Sequence, residues 1–583
     1  MDDAFLKYYE HELDQLRHSA SRFAEEFPKI ARRLQLSDQE CADPYVERLL
    51  EGTAYLTARI AKKLDDGSSE FPETLLNQIA PEINAPLPSR SIIRLKPGKP
   101  ACLPLGTPFS VPTGLPGDPR CIYTLREPLN SSGLQMTDFS YEDGSLSSPG
   151  SAADMTGVQG ALRCRVLCSE GSPEPVRLFI NLPLSASGEL LRLLMTECAG
   201  IRIRCGGQET ALSADSLSEC SLPPSPCRLC HTAEYFLLAE QASFFCVSGL
   251  RRALPEQGEA ELLLLLRREP SERLRLLLHQ DSVFLTDCAR VINAFPHRLS
   301  RIIPSWREYE HAVGDATAAG NYEVLQIEKG AAYSVDNRKL FDIYPFYFAS
   351  DVTMPEERVR LNYFSLRREQ PVAPHRTRMS PYIGSEVYLQ ISGPLYSALR
   401  ESVHSYSLQG ICSNRDLPLF VRKDSTLSSG EYTASFVTAP THPQPPLMQD
   451  AARWVGMTLA RLTPGTLASV APESLPALVR ALLDHLHTPG NRAAEHCVRG
   501  LEGMQLRSCT RTIPVMGDLC VMRGWHVDVT LNEQAYSGQD VYLFARSLAE
   551  DILQMGEVNT YTEVSIRTSE HHLNTWQRQQ TDM

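Results

Sequence analysis

The chain has 583 residues, of which 42% are hydrophobic and 22% are charged, and its formal net charge is −13. A chain of this length divides into roughly three to five domains. The acidic balance, without a basic patch in any stretch, argues against a nucleic-acid partner. The most apolar run, residues 262–266, is too short to span a membrane, and the start Met1-Asp2-Asp3 lacks the layout of a secretory signal. We therefore expect a cytoplasmic protein with no segment inserted in a membrane.

The first predicted helix carries an apolar stripe at alternating spacings of three and four residues. Its members are Leu6, Tyr9, Leu13, Leu16, Ala20, Phe23 and Phe27. Such a heptad seam must be buried against other helices. The helix could pack on its own domain, which is the ordinary fate of an amphipathic helix, or it could be completed by another chain.

A second seam follows in the next predicted helix, which begins with Asp43 as N-cap and Pro44 in the first turn and runs to about residue 64. Its apolar positions include Val46, Leu49, Leu50, Leu56, Ile60 and Leu64. Two long seams ahead of a β-rich body favour an assembly arm whose bundle is closed by a second chain. We therefore predict an interface at Leu6, Tyr9, Leu13, Leu16, Phe23 and Phe27, together with Val46, Leu49, Leu56 and Ile60.

Short alternating strands dominate from residue 89 onward, as in the stretches SIIRL, RCRVL, RLFINL and IRIRC. A second β region, with EVYLQI as a clear strand, ends near THPQPP at 441–446. The last part begins with helices, one capped by Ser474, and returns to strands around a helix at 543–555. We predict a multidomain α+β protein with a helical arm at 1–88, β-rich domains at 89–300 and 301–440, and a mixed α/β domain at 441–583.

The 16 cysteines are expected to be reduced thiols, because the chain shows no export signal. One cluster, Cys227 and Cys230 followed by His231, matches the haem-attachment pattern, and with Cys220 it could also form a zinc site. Haem attachment takes place outside the cytoplasm, and the direction of the loop between Cys220 and Cys227 is unknown. We favour loop cysteines without a metal and expect no cofactor.

No catalytic signature is found in the sequence: it lacks a nucleophile elbow, a phosphate loop and a zinc-binding helix. We expect no catalytic residues. The alternative is a carbohydrate-active or metal-dependent enzyme built on β-sandwich domains, whose paired carboxylates would be distant in sequence. A deep cleft with two facing acids, rather than a protruding helical arm, would distinguish that alternative.

Blocks along almost the whole chain resemble a known family. The N-terminal blocks are YYEHELDQLR at 8–17, FAEEFPKIARRL at 23–34 and ADPYVERLLEG at 42–52. Later blocks include CARVINAFPHRLSRI at 288–302, MRGWHVDVTLNE at 522–533 and YSGQDVYLFARSL at 536–548. Their order resembles that of TssF, a baseplate subunit family of the bacterial type VI secretion system.

The resemblance implies a structural wedge component rather than an enzyme. In this family two copies of TssF join one TssG, and TssK and TssE complete the wedge around a spike. The implied partners are therefore TssG, a second TssF copy, TssK and TssE, with spike and sheath components nearby. The resemblance also implies a cytoplasmic baseplate that reaches the inner membrane through its partners and nucleates the contractile tail for effector delivery.

Overall fold

The computed structural model combines helices and strands in a mixed α and β fold. It describes residues 3–33, 44–68, 70–96, 100–143, 157–171, 175–223, 230–305, 307–314, 320–345, 361–369, 380–392, 402–449, 452–515, 518–536, 540–569 and 571–580. The predicted mixed class is confirmed.

Helices concentrate at the two ends of the described chain. The helices are α1 Asp3–Glu26, α2 Pro28–Arg33, α3 Pro44–Ser68, α4 Glu70–Ile79, α5 Leu184–Thr196, α6 Cys230–Leu237, α7 Leu250–Ala253, α8 Glu272–Leu278, α9 Ala452–Ala460, α10 Pro464–Ala468, α11 Leu475–Leu483, α12 Arg492–Arg499 and α13 Val541–Gln554. A break at Phe27, directly before Pro28, separates α1 from α2. Ser474 stands at the N-cap of α11, although its side chain makes no capping hydrogen bond.

A closed six-stranded barrel forms the middle of the fold. In the order of pairing its strands are β1 Arg90–Leu95, β15 Cys288–Ile292, β4 Arg120–Leu125, β3 Pro108–Pro112, β23 Thr426–Ser429 and β24 Tyr432–Phe436. Ile93 pairs with Ala289 on one side and with Phe436 on the other. The barrel thus draws strands from both sides of the predicted boundary at 300, while the four predicted domain ranges stay a prediction.

Two antiparallel sheets are formed by strands that lie, in sequence, between the barrel strands β4 and β15. The five-stranded sheet is β10 Gln208–Ser213, β9 Cys198–Cys205, β13 Gly258–Leu266, β7 Gly160–Cys168 and β6 Leu134–Asp143. The four-stranded sheet is β11 Leu217–Glu219, β12 Phe244–Val247, β8 Val176–Ile180 and β14 Phe284–Leu285. Residues 144–156, between β6 and β7, lie outside the described residues.

The remaining strands form three further sheets. A seven-stranded sheet contains β16 Phe295–Arg298, β22 Ser405–Ser413, β18 Glu323–Tyr333, β19 Lys339–Pro345, β20 Leu361–Glu369, β21 Ser385–Ser392 and β17 His311–Val313. A two-stranded sheet pairs β2 Cys102–Leu103 with β5 Leu129–Asn130. The C-terminal sheet contains β25 Leu501–Val515, β26 Asp518–Leu531, β27 Thr560–Thr568 and β28 His572–Gln580.

One hydrophobic core joins the middle of the chain to its C-terminal part. It includes Leu190 of α5, Leu264 of β13, Phe544 of α13 and Val527 of β26. Strands β26 and β27 are parallel, so the chain between them must cross over, and α13 makes that crossover. The close approach of α5 to α13 requires a glycine, since a Cβ at Gly188 would lie 1.8 Å from the carboxyl carbon of Asp540.

Candidate assembly surface

Helices α1 and α3 form an antiparallel pair. Arg17 of α1 forms an ion pair with Glu47 near the start of α3, at 2.5 Å. At the other end, the rings of Phe5 and Tyr55 pack edge to face with centroids 5.4 Å apart. The hydrogen bond from Arg17 to Glu47 raises the pKa of the guanidinium. The helical region predicted from the two seams therefore begins with two helices that face each other.

The pairing buries small side chains of α3 and covers part of the predicted seam of α1. Ala54 and Ala58 are fully buried. The middle of the α1 seam, at Tyr9, Leu13 and Leu16, is half-buried. Small residues let helices approach closely, so the chain itself supplies part of the cover that the sequence assigned to a second chain.

The outer face of α3 carries large apolar side chains that the described residues do not cover. Leu49, Leu56 and Ile60 are 70%, 59% and 60% exposed. At about 100° per residue these three positions lie on one face, opposite the buried Ala54 and Ala58. Singly exposed apolar residues are normal, but an aligned row of them marks an interaction surface. We call Leu49, Leu56 and Ile60 the α3 stripe.

The exposed positions of α1, and Phe27 directly after its end, add apolar area to this region. Leu6, Phe23 and Phe27 are exposed, and the rings of Phe23 and Phe27 lie 5.1 Å apart. The backbone of Val46 belongs to α3, but its side chain lies outside the described residues. The predicted interface residues thus divide into a half-covered group on α1 and an exposed group on both helices.

Helix α4 ties the helical region to the body through buried polar contacts. The carboxylate of Glu73 forms an ion pair with Arg453 of α9 at 3.1 Å and accepts a hydrogen bond from the backbone N–H of Arg367 in β20. The side-chain amide of Asn77 donates to the carbonyl of Ser365 at 2.8 Å. Burial lowers the pKa of the Arg367 guanidinium, although Glu323 and Glu73 oppose that shift. The root of the helical region is therefore fixed on the body.

The candidate metal ligands do not come together in the part of the chain that the structure describes. Cys220 forms a disulfide with Cys246, so the expectation of a reduced thiol is wrong there. Cys227 lies outside the described residues, as does the side chain of Cys230. Among the described residues no group of three or more His, Cys, Asp or Glu side chains is placed to hold a metal ion.

His231, the fourth candidate ligand, is held by the C-terminal helix instead. Its backbone N–H donates to a carboxylate oxygen of Asp551 at 2.9 Å, and its Nε2 lies 2.6 Å from the side-chain amide of Gln554. Burial lowers the pKa of the imidazole to about 4. The sequence pattern around His231 therefore marks a junction between α6 and α13.

Buried charges around Arg290 were not found from the sequence. Its guanidinium forms an ion pair with Glu127 at 2.8 Å, donates to the carbonyl of Gln241, and lies 4.3 Å from the ring centroid of Phe244. Arg90 and Arg126 share the buried carboxylate of Glu234 at 2.6 and 2.7 Å. These partners are separated by 46 to 163 residues in the sequence, and no local spacing indicates them.

None of the helices in the described part of the chain is long and apolar enough to cross a membrane.

Two solved structures share this fold. A chain from a TssK-TssF-TssG baseplate subcomplex of the type VI secretion system superposes with a TM-score of 0.69 at 18% identity, covering 92% of this chain and 98% of that chain. A chain from a second structure, the type VI baseplate complex, gives a TM-score of 0.53 at 18% identity and covers 98% of both chains. The fold is therefore that of a chain found in type VI secretion baseplates.

Sequence comparison gives the family. The sequence model of the TssF family of the type VI secretion system matches residues 1–582. The type VI secretion system component TssF1 of Pseudomonas aeruginosa is 30% identical over 613 residues, covering 98% of this chain and 97% of the relative. The chain belongs to the TssF family and is a component of the type VI secretion system. Neither comparison supports the enzyme alternative.

Proposed function

We propose that this chain is a structural wedge subunit of a cytoplasmic type VI baseplate and catalyses no reaction. It assembles with TssG, a second copy of itself, TssK and TssE, and the wedge nucleates the contractile tail beside spike and sheath components. The observation that carries the proposal is the α3 stripe: Leu49, Leu56 and Ile60 are exposed in a row on the face that α1 leaves open. The solved TssK-TssF-TssG baseplate subcomplex supports the choice of TssK and TssG, whereas TssE and the second copy are what the family resemblance implies.

The energetics favour a helical partner for this surface. Burying one large apolar side chain contributes roughly 1.5–3 kcal/mol. The α3 stripe and the exposed Phe23 and Phe27 therefore offer several kcal/mol to a chain that covers them. A helix with its own apolar row fits, because rows at spacings of three and four interdigitate between neighbouring helices. A helix of TssG or of the second TssF copy completes the bundle that α1 and α3 begin.

The bend that lets one sequence occupy two positions in a wedge lies ahead of α4. The proline-rich segment Pro81–Pro88 is the candidate that composition suggests. However, α4 precedes that segment and is held on the body by Glu73 and Asn77. A change of direction of the α1–α3 pair that keeps these contacts must therefore occur between α3 and α4.

The test is co-purification of the full chain with TssG from the same organism. Light scattering reports the mass of the complex, and circular dichroism reports folding. We expect a two-to-one complex for the wild type and none for Leu56→Asp/Ile60→Asp, whose helix content stays unchanged. Aspartate on this face is solvated in the free chain but is buried without a partner in the bundle.

The matched control is Arg48→Asp/Arg59→Asp, which places the same two side chains on α3 beside the stripe. It should form the complex as the wild type does. Equal binding by the stripe variant would show that the α3 stripe is not the assembly surface. A further double variant, Leu13→Asp/Leu16→Asp, probes the half-covered group on α1, and we expect it to lose helix content as well as binding.

A further inference from the structure

The disulfide between Cys220 and Cys246 stands apart from the other cysteines of the described residues. Ten of these form no disulfide among the described residues, and most of them are buried. Cys220 directly follows β11, and Cys246 lies in the neighbouring strand β12, with 5.6 Å between their Cα atoms. Disulfides are rare in proteins of a reducing compartment, and those that occur there are mostly redox-responsive.

The disulfide lies where α13 and β28 of the C-terminal region contact strands β11 and β12. Arg546 of α13 donates to the carbonyl of Cys220 and, at 3.1 Å, to the carbonyl of Phe244. The carboxylate of Glu219, next to Cys220, accepts from the indole N–H of Trp576 at 2.8 Å and from the hydroxyl of Tyr542. The end of β11 thus holds both α13 and β28, and the disulfide holds the end of β11.

One cysteine of the pair is less buried than the other. Cys220 is buried, whereas Cys246 is half-buried and lines a cavity of about 140 Å³ together with Val176, Arg177 and Cys288. Attack on a disulfide requires access of a thiolate to one sulfur. Since Cys246 is the less buried residue of the pair, we expect that attack at its Sγ atom.

We propose that the disulfide between Cys220 and Cys246 is a redox-responsive cross-link that stabilises the junction between the C-terminal region and the rest of the chain. A thiolate of a dithiol reductant attacks Sγ of Cys246, the sulfur–sulfur bond breaks, and Cys220 leaves as a thiolate that takes up a proton. The second thiol of the reductant then displaces Cys246. Two cysteine thiols form and the reductant becomes a disulfide, so two electrons pass to the protein.

Reduction of the disulfide should weaken the contacts of α13 and β28 with β11 without unfolding either side of the junction. Reduction frees the end of β11, which pairs with β12 over only three residues. The contacts of Glu219 and of the Cys220 carbonyl then depend on an end of β11 that is no longer cross-linked to β12. The role of this response in the cell rests on the proposed cytoplasmic location, but the chemistry does not, and its test requires no assembly partner.

The first experiment is differential alkylation of the full chain, read by mass spectrometry. Purified protein is treated with diamide or dithiothreitol, and free thiols are then blocked in denaturant. We expect Cys220 and Cys246 to be protected at least tenfold after diamide and fully alkylated after dithiothreitol. The buried Cys121 and Cys164 should be alkylated under both conditions, because diamide oxidises accessible thiols. Alkylation of Cys220 and Cys246 that does not change between the two treatments would overturn the proposal.

The second experiment measures hydrogen exchange of the oxidised and reduced wild type. Amides at 217–220 and in α13 should exchange at least tenfold faster after reduction, whereas those of β7 should not change. Cys246→Ser should exchange like the reduced wild type under both conditions, and Cys288→Ser should keep the response. Equal exchange in the oxidised and reduced wild type would show that the disulfide does not stabilise the junction, whether or not the variants fold.

Discussion

The α1–α3 pair and helix α13 show two outcomes of the same helical pattern. In α13, apolar and polar side chains alike are buried, and even the charged groups of Arg546 and Asp551 have partners inside the fold. In α3, the buried residues are alanines and the large residues of the α3 stripe face outward. An apolar stripe in the sequence predicts that another surface packs against it, but the sequence does not tell which chain provides that surface.

The largest expected effect contrasts two leucine-to-alanine changes in helices. Leu543 of α13 is fully buried, whereas Leu276 of α8 is 77% exposed. Leu543→Ala should lower the free energy of unfolding of the C-terminal region by about 3–5 kcal/mol, because it leaves a cavity in a shared core. Leu276→Ala should change it by less than about 0.5 kcal/mol. The denaturant midpoint of the C-terminal transition measures both, and similar midpoints would show that the core around α13 is not continuous.

A slightly smaller effect is expected at the root of the helical region. Glu73→Ala leaves the guanidinium of Arg453 buried without its carboxylate, which costs about 3–5 kcal/mol for a fully buried pair and less where water can enter. Hydrogen exchange of α4 should accelerate while that of α13 stays unchanged. Glu310→Ala, which breaks an exposed pair with Arg368, is the control and should cost no more than about 1 kcal/mol. Unchanged exchange in α4 would mean that Glu73 does not hold the helical region on the body.

The local elements could be predicted from the sequence because they depend on neighbouring residues. The strands at 160–168 and 385–392 follow from alternation of apolar and polar side chains, and α1 and α3 follow from spacings of three and four. A resemblance over nearly the whole chain supplied the family, which no single motif could have given.

The long-range features could not be predicted in this way. The barrel closes by pairing Ile93 with Phe436, and Glu73 meets Arg453. The disulfide joins cysteines 26 residues apart with no spacing pattern to announce it. Which of Leu13 and Leu56 is covered depends on the packing of α1 against α3. Such contacts depend on the three-dimensional path of the chain, which a one-dimensional pattern does not encode.

A pH effect should separate the C-terminal region from the helical pair. Burial raises the pKa of Asp540 to about 7, above its ordinary 3.8, and hydrogen bonds from Leu543 and Tyr542 only partly oppose this. The folded chain therefore holds a proton that the unfolded chain has lost between about pH 4 and pH 7. Its stabilising contribution is complete below pH 4 and is lost as the pH rises through 7.

The C-terminal transition should thus gain on the order of 1–3 kcal/mol between pH 8 and pH 5 from this group. Asp540→Asn keeps an N-cap side chain for α13 and should flatten that part of the pH dependence. Glu550→Gln, at a half-buried position of the same helix that pairs with Arg578, is the control. Denaturant midpoints at both pH values measure the effect, and an unchanged slope in Asp540→Asn would place the titrating group elsewhere, with Asp551 as the next candidate.

The smallest effect on the free chain is expected at the α3 stripe, and that small size is what distinguishes an interface from a core. Leu56→Ala should change the free energy of unfolding by less than about 0.5 kcal/mol, since the side chain is 59% exposed. In the complex with TssG the same change should weaken binding about tenfold or more, because a buried leucine contributes roughly 1.5–3 kcal/mol. Calorimetric titration measures the affinity, and Arg59→Ala on the flank of the stripe should leave it within about twofold. If Leu56→Ala instead destabilised the free chain and left the affinity unchanged, the cover of α3 would come from this chain. The helical pair would then resemble α13 after all.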